Sequence, residues 1–401
     1  MHGMLKRAYG ASLERLSRAF PVVTILGPRQ CGKTTLVREV LSDWTYVDME
    51  RPRDAAPFEA DPEARLAQLG RRVVIDEAQR MPSLFPVLRG IIDANRAQNG
   101  QYVLLGSASP SLVRHISESL AGRTAFLDLP PFRWREVQRS VGEEHLETLW
   151  LRGGFPDAFL QKQTALRQAW FDGYTRTFIE RDLPALGIDV SASQMRRLWT
   201  MLAHYNGGIW NASDLAASLG TSYHTVNRYV DILEQTFLVR KLPPYFANLG
   251  KRLIKSPKVY LRDTGLLHYF LGIRSLESLH THPARGASWE ALLVDQIISA
   301  YQLSDPAAQF YYWRTATGVE VDLLVETRSK IIPFEIKLHS APKPALADSL
   351  VRCMADLGLP KGYVVYPGDE VYSLGRDVTA IPAKTVLMTP PGVEAIGGTR
   401  P

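Results

Sequence analysis

The sequence contains little cysteine and no long apolar run, and each absence excludes a class of protein. Only two of the 401 residues are cysteine, Cys31 and Cys353, so a disulfide framework is excluded and a reducing compartment is indicated. No apolar run approaches the roughly 18 residues of a transmembrane helix. Residues Met1–Arg7 lead into the polar stretch Ser12–Arg15 without the apolar core of a secretory signal. We therefore predict a cytoplasmic protein that makes no membrane contact.

The charge and composition fit an ordinary globular protein of more than one domain. Hydrophobic residues make up 45% and charged residues 22% of the chain, which excludes wholesale disorder and fibrous structure. At ~100–200 residues per domain, this length predicts two or three domains. The 47 Lys and Arg exceed the 41 Asp and Glu, giving a net charge of +6 and an isoelectric point of about 9.2. Such an excess indicates a polyanionic partner only where it is concentrated.

The patterning divides the chain into three units and a tail. Residues 1–131 alternate short β-branched runs with amphipathic stretches, as parallel α/β domains do, and end at a Pro-Pro pair. Residues 132–285, the middle unit, are mostly helical. Residues 286–388, the C-terminal unit, read as a helix followed by strands. Residues 389–401 are rich in glycine and proline, which predicts a disordered tail.

A phosphate-binding motif lies near the amino terminus. The segment Gly27–Thr34, called here the phosphate loop, reads GPRQCGKT and fits G-x-x-x-x-G-K-[ST] between an apolar strand and a helix pattern. Its glycines allow backbone N–H groups to surround phosphate oxygens at a helix amino terminus. Lys33 would reach the β- and γ-phosphates, and the Thr34 hydroxyl would bind Mg²⁺. The predicted ATP site, including residues from later strands, comprises Gly27, Pro28, Arg29, Gln30, Cys31, Gly32, Lys33, Thr34, Thr35, Asp76 and Ser107.

An acidic pair follows the second apolar strand, Val73–Ile75. Asp76, at the carboxyl end of that strand, would hold the Mg²⁺ shell through water. Glu77 would polarise the attacking water, which indicates a hydrolase instead of a nucleotide-binding switch. The alternative is that the two acids only open the following helix, where the helix dipole favours negative charge.

Two further positions are candidates for sensing the γ-phosphate. The third strand ends in hydroxyls, and Ser107 or Ser109 could contact the phosphate or cap the next helix. Arg123 follows the core strands, and could act as an arginine finger in cis or from a neighbouring subunit. A finger in trans requires a homo-oligomer, such as a ring. Arg123 could equally be an ordinary surface arginine.

A helix-turn-helix pattern occupies part of the middle unit. Asn211–Gly220 reads as a capped short helix with a turn glycine, Thr221–Glu234 as a second helix, and Phe237–Leu242 as the first strand of a wing. The exposed side of the second helix and the basic run that follows the wing strand supply candidate DNA contacts. These are Tyr223, His224, Asn227, Arg228, Lys251, Arg252, Lys255 and Lys258. The alternative is a module for protein contacts.

Acidic residues in the C-terminal unit suggest a second metal site. Glu290 opens a helix pattern, Asp322 lies on one strand, and Glu335 and Lys337 share a face of the next. Glu290, Asp322 and Glu335 could bind Mg²⁺, while Lys337 orients water for phosphodiester hydrolysis. The alternative is a solvated strand face on which Glu335 and Lys337 form an ordinary pair.

These motifs together resemble a prokaryotic family that joins an AAA-like P-loop ATPase to a C-terminal domain similar to the PD-(D/E)xK nuclease superfamily. The resemblance covers nearly the whole chain and rests on Gly27–Thr34, Val73–Gln79, Leu105–Ser109, Gly153–Pro156, Glu180–Leu183, Lys258–Gly265, Trp313–Arg314, Glu320–Asp322 and Phe334–Lys337. It implies an α/β fold class, with an AAA-like ATPase domain, a winged-helix middle and a restriction-endonuclease-like α/β domain. Val321 departs from the pattern, since it stands where the superfamily has proline before its metal-binding aspartate.

The sequence therefore predicts a Mg²⁺-dependent ATP hydrolase that binds and remodels or processes DNA. ATP and Mg²⁺ are the expected cofactors, and DNA and further copies of the chain are the expected partners. Glu180–Asp182 lies on a helical stretch between the units and could relay the nucleotide state, or form only a salt-bridge network. The alternative function is a regulatory switch in which ATP controls protein contacts and the nuclease-like fold is inert.

Overall fold

The first unit is built on a five-stranded parallel sheet. The computed structural model describes residues 5–107, 110–141, 146–188, 190–245 and 256–393. The sheet has the order β2-β3-β4-β1-β5, and every pair within it is parallel. Its strands are β1 (Val22–Gly27), β2 (Thr45–Asp48), β3 (Val73–Asp76), β4 (Tyr102–Ser107) and β5 (Thr124–Asp128), and its helices are α1 (Gly10–Ala19), α2 (Lys33–Val40), α3 (Pro52–Ala60), α4 (Pro62–Leu69), α5 (Leu84–Ala94) and α6 (Pro110–Ser119).

Both faces of this sheet are covered, which explains its β-branched runs. All six residues of β1 are buried. Strand alternation sends Val22 and Leu26 into one apolar cluster and Val23 and Ile25 into another on the opposite face. The parallel α/β sheet predicted for this unit is confirmed.

The middle unit is mostly helical and contains a two-stranded antiparallel ribbon. Asn211 and Ser222 cap the two helices of the predicted pair, and Gly220 joins them in a left-handed conformation that glycine adopts without strain. The elements are α7 (Trp134–Val141), α8 (Leu146–Arg152), α9 (Pro156–Leu160), α10 (Thr164–Thr177), a π-helix (Phe178–Asp182), α11 (Leu183–Ala185), α12 (Ala192–His204), α13 (Ala212–Leu219), α14 (Tyr223–Gln235), and the ribbon strands β6 (Val239–Leu242) and β7 (Lys258–Leu261).

The C-terminal unit is a mixed six-stranded sheet of order β12-β13-β11-β10-β9-β8. Strands β8, β9 and β10 are antiparallel neighbours, whereas β10 and β11 run parallel. Residues 394–401, most of the predicted disordered tail, lie outside the described residues. The last elements of the chain are α15 (Thr264–Leu271), α16 (Leu276–Thr281), α17 (Arg285–Ser304), β8 (Gln309–Arg314), β9 (Glu320–Glu326), β10 (Ile331–Ile336), α18 (Asp348–Leu357), β11 (Gly362–Tyr366), β12 (Tyr372–Gly375), β13 (Val378–Pro382) and α19 (Ala383–Met388).

Helix α17 joins the middle and C-terminal units into one apolar core. The nine consecutive residues 291–299 of this 20-residue helix are all buried, so it is surrounded on every side. One continuous cluster of buried side chains extends from Phe132 to Leu387 and includes both units. The boundary near residue 285 therefore divides the sequence, but not the hydrophobic core. No helix in the described part of the chain is both long and apolar enough to cross a membrane.

A buried aspartate on α17 ties distant segments together. Asp295 Oδ1 accepts hydrogen bonds from Arg240 Nη2 at 2.6 Å and Arg262 Nε at 3.0 Å, and Oδ2 lies 2.6 Å from Arg133 Nη1. Burial opposes ionisation of this carboxyl, but the three guanidinium groups outweigh it and hold the pKa of Asp295 well below its usual range. The start of the middle unit, the ribbon and α17 are thus joined through one negative charge.

Candidate nucleotide-binding and hydrolysis site

The phosphate loop connects the carboxyl end of β1 to the amino terminus of α2. Its backbone has positive φ at Gln30 (58°) and Gly32 (97°), the second a conformation that favours glycine. A Cβ atom added at Gly27 would lie 2.2 Å from the Leu129 carbonyl oxygen, so only glycine fits there. Both glycines of the motif are therefore required, Gly27 by its close contact with Leu129 and Gly32 by its positive φ.

The lysine and threonine of the motif have defined partners. Lys33 is buried, and its Nζ donates to the carbonyl oxygens of Gly27 and Pro28, both at 2.9 Å. Thr34 Oγ1 donates to Asp76 Oδ2 at 2.9 Å. The ammonium is thus held at the phosphate loop, where phosphate oxygens could replace the two carbonyls as its acceptors.

Asp76 ends β3 beside the phosphate loop and is held by three donors. Besides Thr34, the Tyr46 hydroxyl donates to Oδ2, and the backbone N–H of Glu77 donates to Oδ1 at 2.9 Å. Burial and the hydrogen bond to Asp76 raise the pKa of Tyr46, so the tyrosine stays a donor. A fixed carboxylate beside a threonine hydroxyl is the oxygen pair that Mg²⁺ binds together with water and phosphate. Thr34 and Asp76 therefore fit a nucleotide-bound Mg²⁺.

Glu77 has the properties expected of a proton acceptor. Its backbone is left-handed, with a φ of 53° that is strained for a residue other than glycine. Burial, followed by the negative charge of Asp76, raises the pKa of Glu77 above its ordinary value. Gln79 donates a hydrogen bond to the carboxylate. A raised proton affinity suits a general base, and the strained turn directs Glu77 into the cavity described next.

A cavity of about 620 Å³ lies between the first and middle units. One wall carries the predicted ATP-binding side chains, and the opposite wall comes from α9, α10 and the π-helix. Gly27 and Pro28 line an adjoining cavity of about 260 Å³. The lining residues of the first wall are Arg29, Gln30, Gly32, Lys33, Thr34, Thr35, Asp76 and Glu77, and those of the second are Pro156, Asp157, Ala169, Trp170, Gly173, Tyr174, Thr177, Arg181 and Asp182.

Ion pairs cross this cavity from the π-helix to the first unit. Asp182 pairs with Arg29 of the phosphate loop, and Arg181 Nη2 donates to Glu50 Oε1 at 2.6 Å. Sequence reasoning singled out Glu180–Asp182 as a possible relay but did not place Arg181 in this cavity. A π-helix inside a helical stretch often marks a functional position, but this irregularity has no clear signal in the residue types.

Arg7 holds the back of the phosphate loop. Its guanidinium donates to the Cys31 carbonyl at 2.7 Å, to the Pro130 carbonyl at 2.6 Å and to Glu136 Oε1 at 2.8 Å. The Cys31 side chain is buried in the apolar cluster beneath the loop, so Cys31 can offer a nucleotide only its backbone. Sequence reasoning missed Arg7, because its partners are distant in the chain.

Three residues were candidates for sensing the γ-phosphate, namely Ser107, Ser109 and Arg123, and the structure describes them unequally. Ser107 ends β4 at the level of Gly27, although its side chain and Ser109 lie outside the described residues. Arg123 precedes β5, and its carbonyl oxygen accepts from the Val22 N–H at 3.2 Å. Since Val22 is the first residue of β1, roughly 17 Å of strand separates Arg123 from Gly27. The prediction of Arg123 as a finger in cis is therefore wrong, and only a role in trans stays a prediction.

The predicted DNA-contact residues on α14 are only partly available. Tyr223 and His224 are exposed, and their ring centroids lie 3.9 Å apart. Asn227 Oδ1 accepts from Trp210 Nε1 at 2.7 Å, and Arg228 donates to the Gly187 carbonyl at 3.2 Å. Tyr223 and His224 are thus presented at the amino end of α14, whereas Asn227 also braces the helix pair.

Of the four residues in the predicted basic cluster, the structure describes only Lys258, and that side chain is buried. Lys251, Arg252 and Lys255 lie outside the described residues. Lys258 is only 2% exposed, and its Nζ lies 2.7 Å from Oε1 of both Glu290 and Glu320. The prediction that Lys258 contacts nucleic acid is corrected here, because the side chain points into the protein and pairs with carboxylates.

The predicted nuclease residues do come together, but not as a metal site. Asp322 Oδ1 lies 3.8 Å from Lys258 Nζ, and Glu335 Oε1 accepts from Lys337 Nζ at 2.5 Å. Among the described residues, no group of three or more His, Cys, Asp or Glu side chains is arranged to hold a metal ion. The predicted metal ligands Glu290, Asp322 and Glu335 instead lie beside the ammonium groups of Lys258 and Lys337.

Comparisons with known families agree with the first unit. Residues 19–138 match the model of the AAA domain. Residues 143–277 and 285–386 match two domains of unknown function, DUF8612 and DUF4143. The first unit is therefore an AAA-like P-loop ATPase domain, as predicted.

Similar proteins include two from mycobacteria. The uncharacterized proteins Rv2008c of Mycobacterium tuberculosis and Mb2031c of Mycobacterium bovis are each 44% identical over 387 residues, covering 96% of this chain and 85% of theirs. Among solved structures, the Walker-type ATPase PABY2304 of Pyrococcus abyssi has a TM-score of 0.46 at 16% identity, covering 67% of this chain and 96% of its own. The Aeropyrum pernix ORC1 protein in complex with DNA has a TM-score of 0.30 at 14% identity, with coverages of 74% and 94%.

Proposed function

The chain belongs to the same family as the mycobacterial proteins Rv2008c and Mb2031c, and we propose that it is a Mg²⁺-dependent ATP hydrolase that controls DNA binding by its middle unit. The observation that carries this proposal is the shared cavity, in which the ATP motifs face the π-helix of the middle unit. We keep the three predicted units (1–131, 132–285 and 286–388), with the second and third acting as one body through their common core.

Hydrolysis is assigned to residues of the first unit. Lys33 and the loop N–H groups would hold the β- and γ-phosphates, and Thr34 and Asp76 would hold Mg²⁺, which neutralises phosphate charge when bound. Glu77 would take the proton of the attacking water, since its carboxylate lines the cavity and burial raises its proton affinity. Such an assignment accounts for the strained backbone at Glu77.

Nucleotide state would reach the middle unit through Arg29. Its partner Asp182 lies on the π-helix across the cavity. A γ-phosphate offers Arg29 a stronger anionic partner than one carboxylate, so ATP would loosen the contact and hydrolysis would restore it. The π-helix continues directly into α11, and α12 and α13 follow before α14, which gives this exchange a route to the proposed DNA-binding surface.

We expect Asp182→Asn to tighten ATP binding about two- to fivefold. The substitution removes the carboxylate that competes with phosphate for Arg29, and a partly exposed ion pair contributes up to about 1 kcal/mol. Isothermal titration calorimetry with Mg²⁺-ATP in a Glu77→Gln background would measure the affinity without turnover.

Glu180→Gln is the matched control for Asp182→Asn. Glu180 lies on the same π-helix but pairs with Arg176 on the solvent side, so its loss should leave the affinity for ATP unchanged. An unchanged or weaker affinity in Asp182→Asn would contradict the competition between Asp182 and phosphate for Arg29.

For DNA binding, we propose that α13, α14 and the ribbon form a winged helix. The capped helix pair with Gly220 between its members, followed by β6 and β7, has the element order of that motif. Tyr223, which is 49% exposed at the first position of α14, offers a ring on which a base can stack. Positive charge near this face at Lys241 is already paired with Asp231 and Glu234, so contact through the exposed rings is the central expectation.

Tyr223→Ala is expected to weaken DNA binding about tenfold and to reduce stimulation of ATP turnover by DNA. One base–aromatic contact contributes about 1–3 kcal/mol. Fluorescence anisotropy with single-stranded, duplex and branched DNA, together with ATPase rates at several salt concentrations, would measure both effects.

Phe126→Ala is the matched control for the DNA experiment. Phe126 is 46% exposed, close to the exposure of Tyr223, but lies on the edge strand β5 of the ATPase sheet. Its loss should not alter binding. No DNA binding by the unmodified protein at any salt concentration would contradict the proposed function.

One observation supports a second candidate, a regulatory ATPase with an inert nuclease-like fold. Two of the predicted metal ligands, Glu290 and Asp322, together with Glu320, already surround an ammonium group of the chain, Lys258 Nζ. In this case ATP turnover would be independent of DNA, and Tyr223→Ala would change neither binding nor rate. The experiment with three forms of DNA therefore separates the two candidates.

A further inference from the structure

Three carboxylates of the C-terminal unit lie around a cation that the chain itself supplies, and a fourth pairs with Lys337. This carboxylate cluster consists of Glu290 on α17, Glu320 and Asp322 on β9, and Glu335 on β10. Lys258, from ribbon strand β7, inserts its side chain among them. The group therefore joins the ribbon to the helix and sheet of the C-terminal unit.

The surroundings of Lys258 Nζ resemble a binding site for a cation. It lies 2.7 Å from Glu290 Oε1, 2.7 Å from Glu320 Oε1 and 3.8 Å from Asp322 Oδ1. The rings of Tyr260 and Tyr312 have their centroids 5.7 and 5.9 Å away, where their π faces favour positive charge. An ammonium offers three donors, and these oxygens occupy its surroundings.

Other donors engage further oxygens of the carboxylate cluster. Asp322 Oδ2 accepts from the Ile336 N–H at 2.7 Å, and Glu290 Oε1 also accepts from the Tyr260 hydroxyl at 2.6 Å. Glu320 Oε2 accepts from Arg314 at 2.6 Å, and Glu335 Oε1 from Lys337 at 2.5 Å. Glu335 Oε2 is buried without a hydrogen-bond partner, but each of the four carboxylates already has an ammonium group, Lys258 or Lys337, within 4 Å.

The charges of the cluster also argue against a bound divalent ion. The four carboxylates of the cluster face three cations, namely Lys258, Lys337 and Arg314. A divalent ion added beside Lys258 would reverse the sign of the total and place two cations in contact in a buried environment, where their repulsion is strong.

We infer that Lys258 Nζ permanently takes the cation position of the nuclease-like centre, so that this chain uses its carboxylate cluster as a structural junction and not as a metal-dependent nuclease. The ammonium fastens the ribbon to α17 and β9, and the retained acidic residues keep it there. This inference does not depend on ATP hydrolysis or DNA binding, and it accounts for the ion pairs that Lys258 and Lys337 form with all four carboxylates.

The test measures binding of Mn²⁺ to the full-length protein without nucleotide, by the loss of the free-ion signal in electron paramagnetic resonance. We expect the unmodified protein and Asp322→Asn to give the same titration, since Asp322 belongs to no metal site. One Mn²⁺ bound by the unmodified protein and lost in Asp322→Asn would overturn the inference, because a metal would then displace Lys258. Both proteins keep Thr34 and Asp76, so any weak binding of Mn²⁺ there contributes equally to the two titrations and cancels in the comparison.

Lys258→Met extends the test in the opposite direction. Methionine has a similar length but no charge, so the cluster should gain one Mn²⁺ site that disappears again in Lys258→Met, Asp322→Asn. A folded Lys258→Met protein, verified by circular dichroism, that gains no such site would overturn the inference. If Lys258→Met does not fold, the comparison of the unmodified protein with Asp322→Asn decides alone.

Discussion

Replacing Glu77 with glutamine is expected to lower ATP turnover about 10²–10⁴-fold while leaving the affinity for Mg²⁺-ATP nearly unchanged. Glutamine keeps the size of the side chain and can still contact Gln79, but it cannot accept the proton of the attacking water. Neither the Lys33 contact with the Gly27 carbonyl nor the Thr34–Asp76 pair involves the Glu77 side chain. The variant should therefore still bind ATP but hydrolyse it slowly. Steady-state turnover measures the hydrolysis, and calorimetry measures the affinity.

The control for Glu77→Gln is Glu63→Gln. Glu63 is exposed in the first turn of α4 and does not line the nucleotide cavity. Its turnover should equal that of the unmodified protein. Turnover near the normal rate in Glu77→Gln would remove Glu77 as the base, and loss of ATP binding would mean that the carboxylate is needed for the shape of the strained turn at β3.

Asp295→Ala is expected to lower the free energy of unfolding by about 3–5 kcal/mol, the typical cost of removing one partner from a buried charge network. Its loss would leave Arg133, Arg240 and Arg262 close together without their common anion. Like charges in a buried environment repel strongly, and a new cavity adds to the cost. Denaturation by urea, followed by circular dichroism and tryptophan fluorescence, would measure the change.

Asp348→Ala provides the matched comparison for Asp295→Ala. Asp348 also pairs with an arginine, Arg376, but both side chains are largely exposed. We expect a loss of at most about 1 kcal/mol there. If Asp295→Ala lowers the free energy of unfolding by a similarly small amount, water or other groups can replace the aspartate. The charge of Asp295 would then not be what holds the three arginines together.

The sequence could predict which residues of the candidate site lie together, because their determinants are local. The phosphate loop is one continuous motif, and the parallel sheet brings the end of β3 beside it, so Lys33, Thr34, Asp76 and Glu77 line the same cavity. A contiguous glycine-rich turn determines its own shape, and strand ends in parallel sheets meet at one edge. The same topology corrects Arg123, because a residue just before a strand lies at the opposite edge.

Other parts of the site could not be predicted, because they depend on contacts between distant segments. Arg7 reaches the phosphate loop from another element, and Arg181 reaches the cavity from the π-helix. Lys258 was predicted to belong to a basic surface because it lies close in sequence to Lys251, Arg252 and Lys255. Residues that are close in sequence need not be equally exposed, and Lys258 is buried. A strand alternates its side chains between two faces, and only the tertiary contacts decide which face is covered.

The central position of α17 has a consequence for how this family can change by recombination. A gene segment for residues 286–388 alone would encode a helix whose apolar sides belong partly to the middle unit, and an Asp295 without its three arginines. The remaining piece would carry those arginines with no anion between them. The last two units are therefore expected to be inherited together. A chimaera made from two relatives should fold only when it takes both units from the same parent.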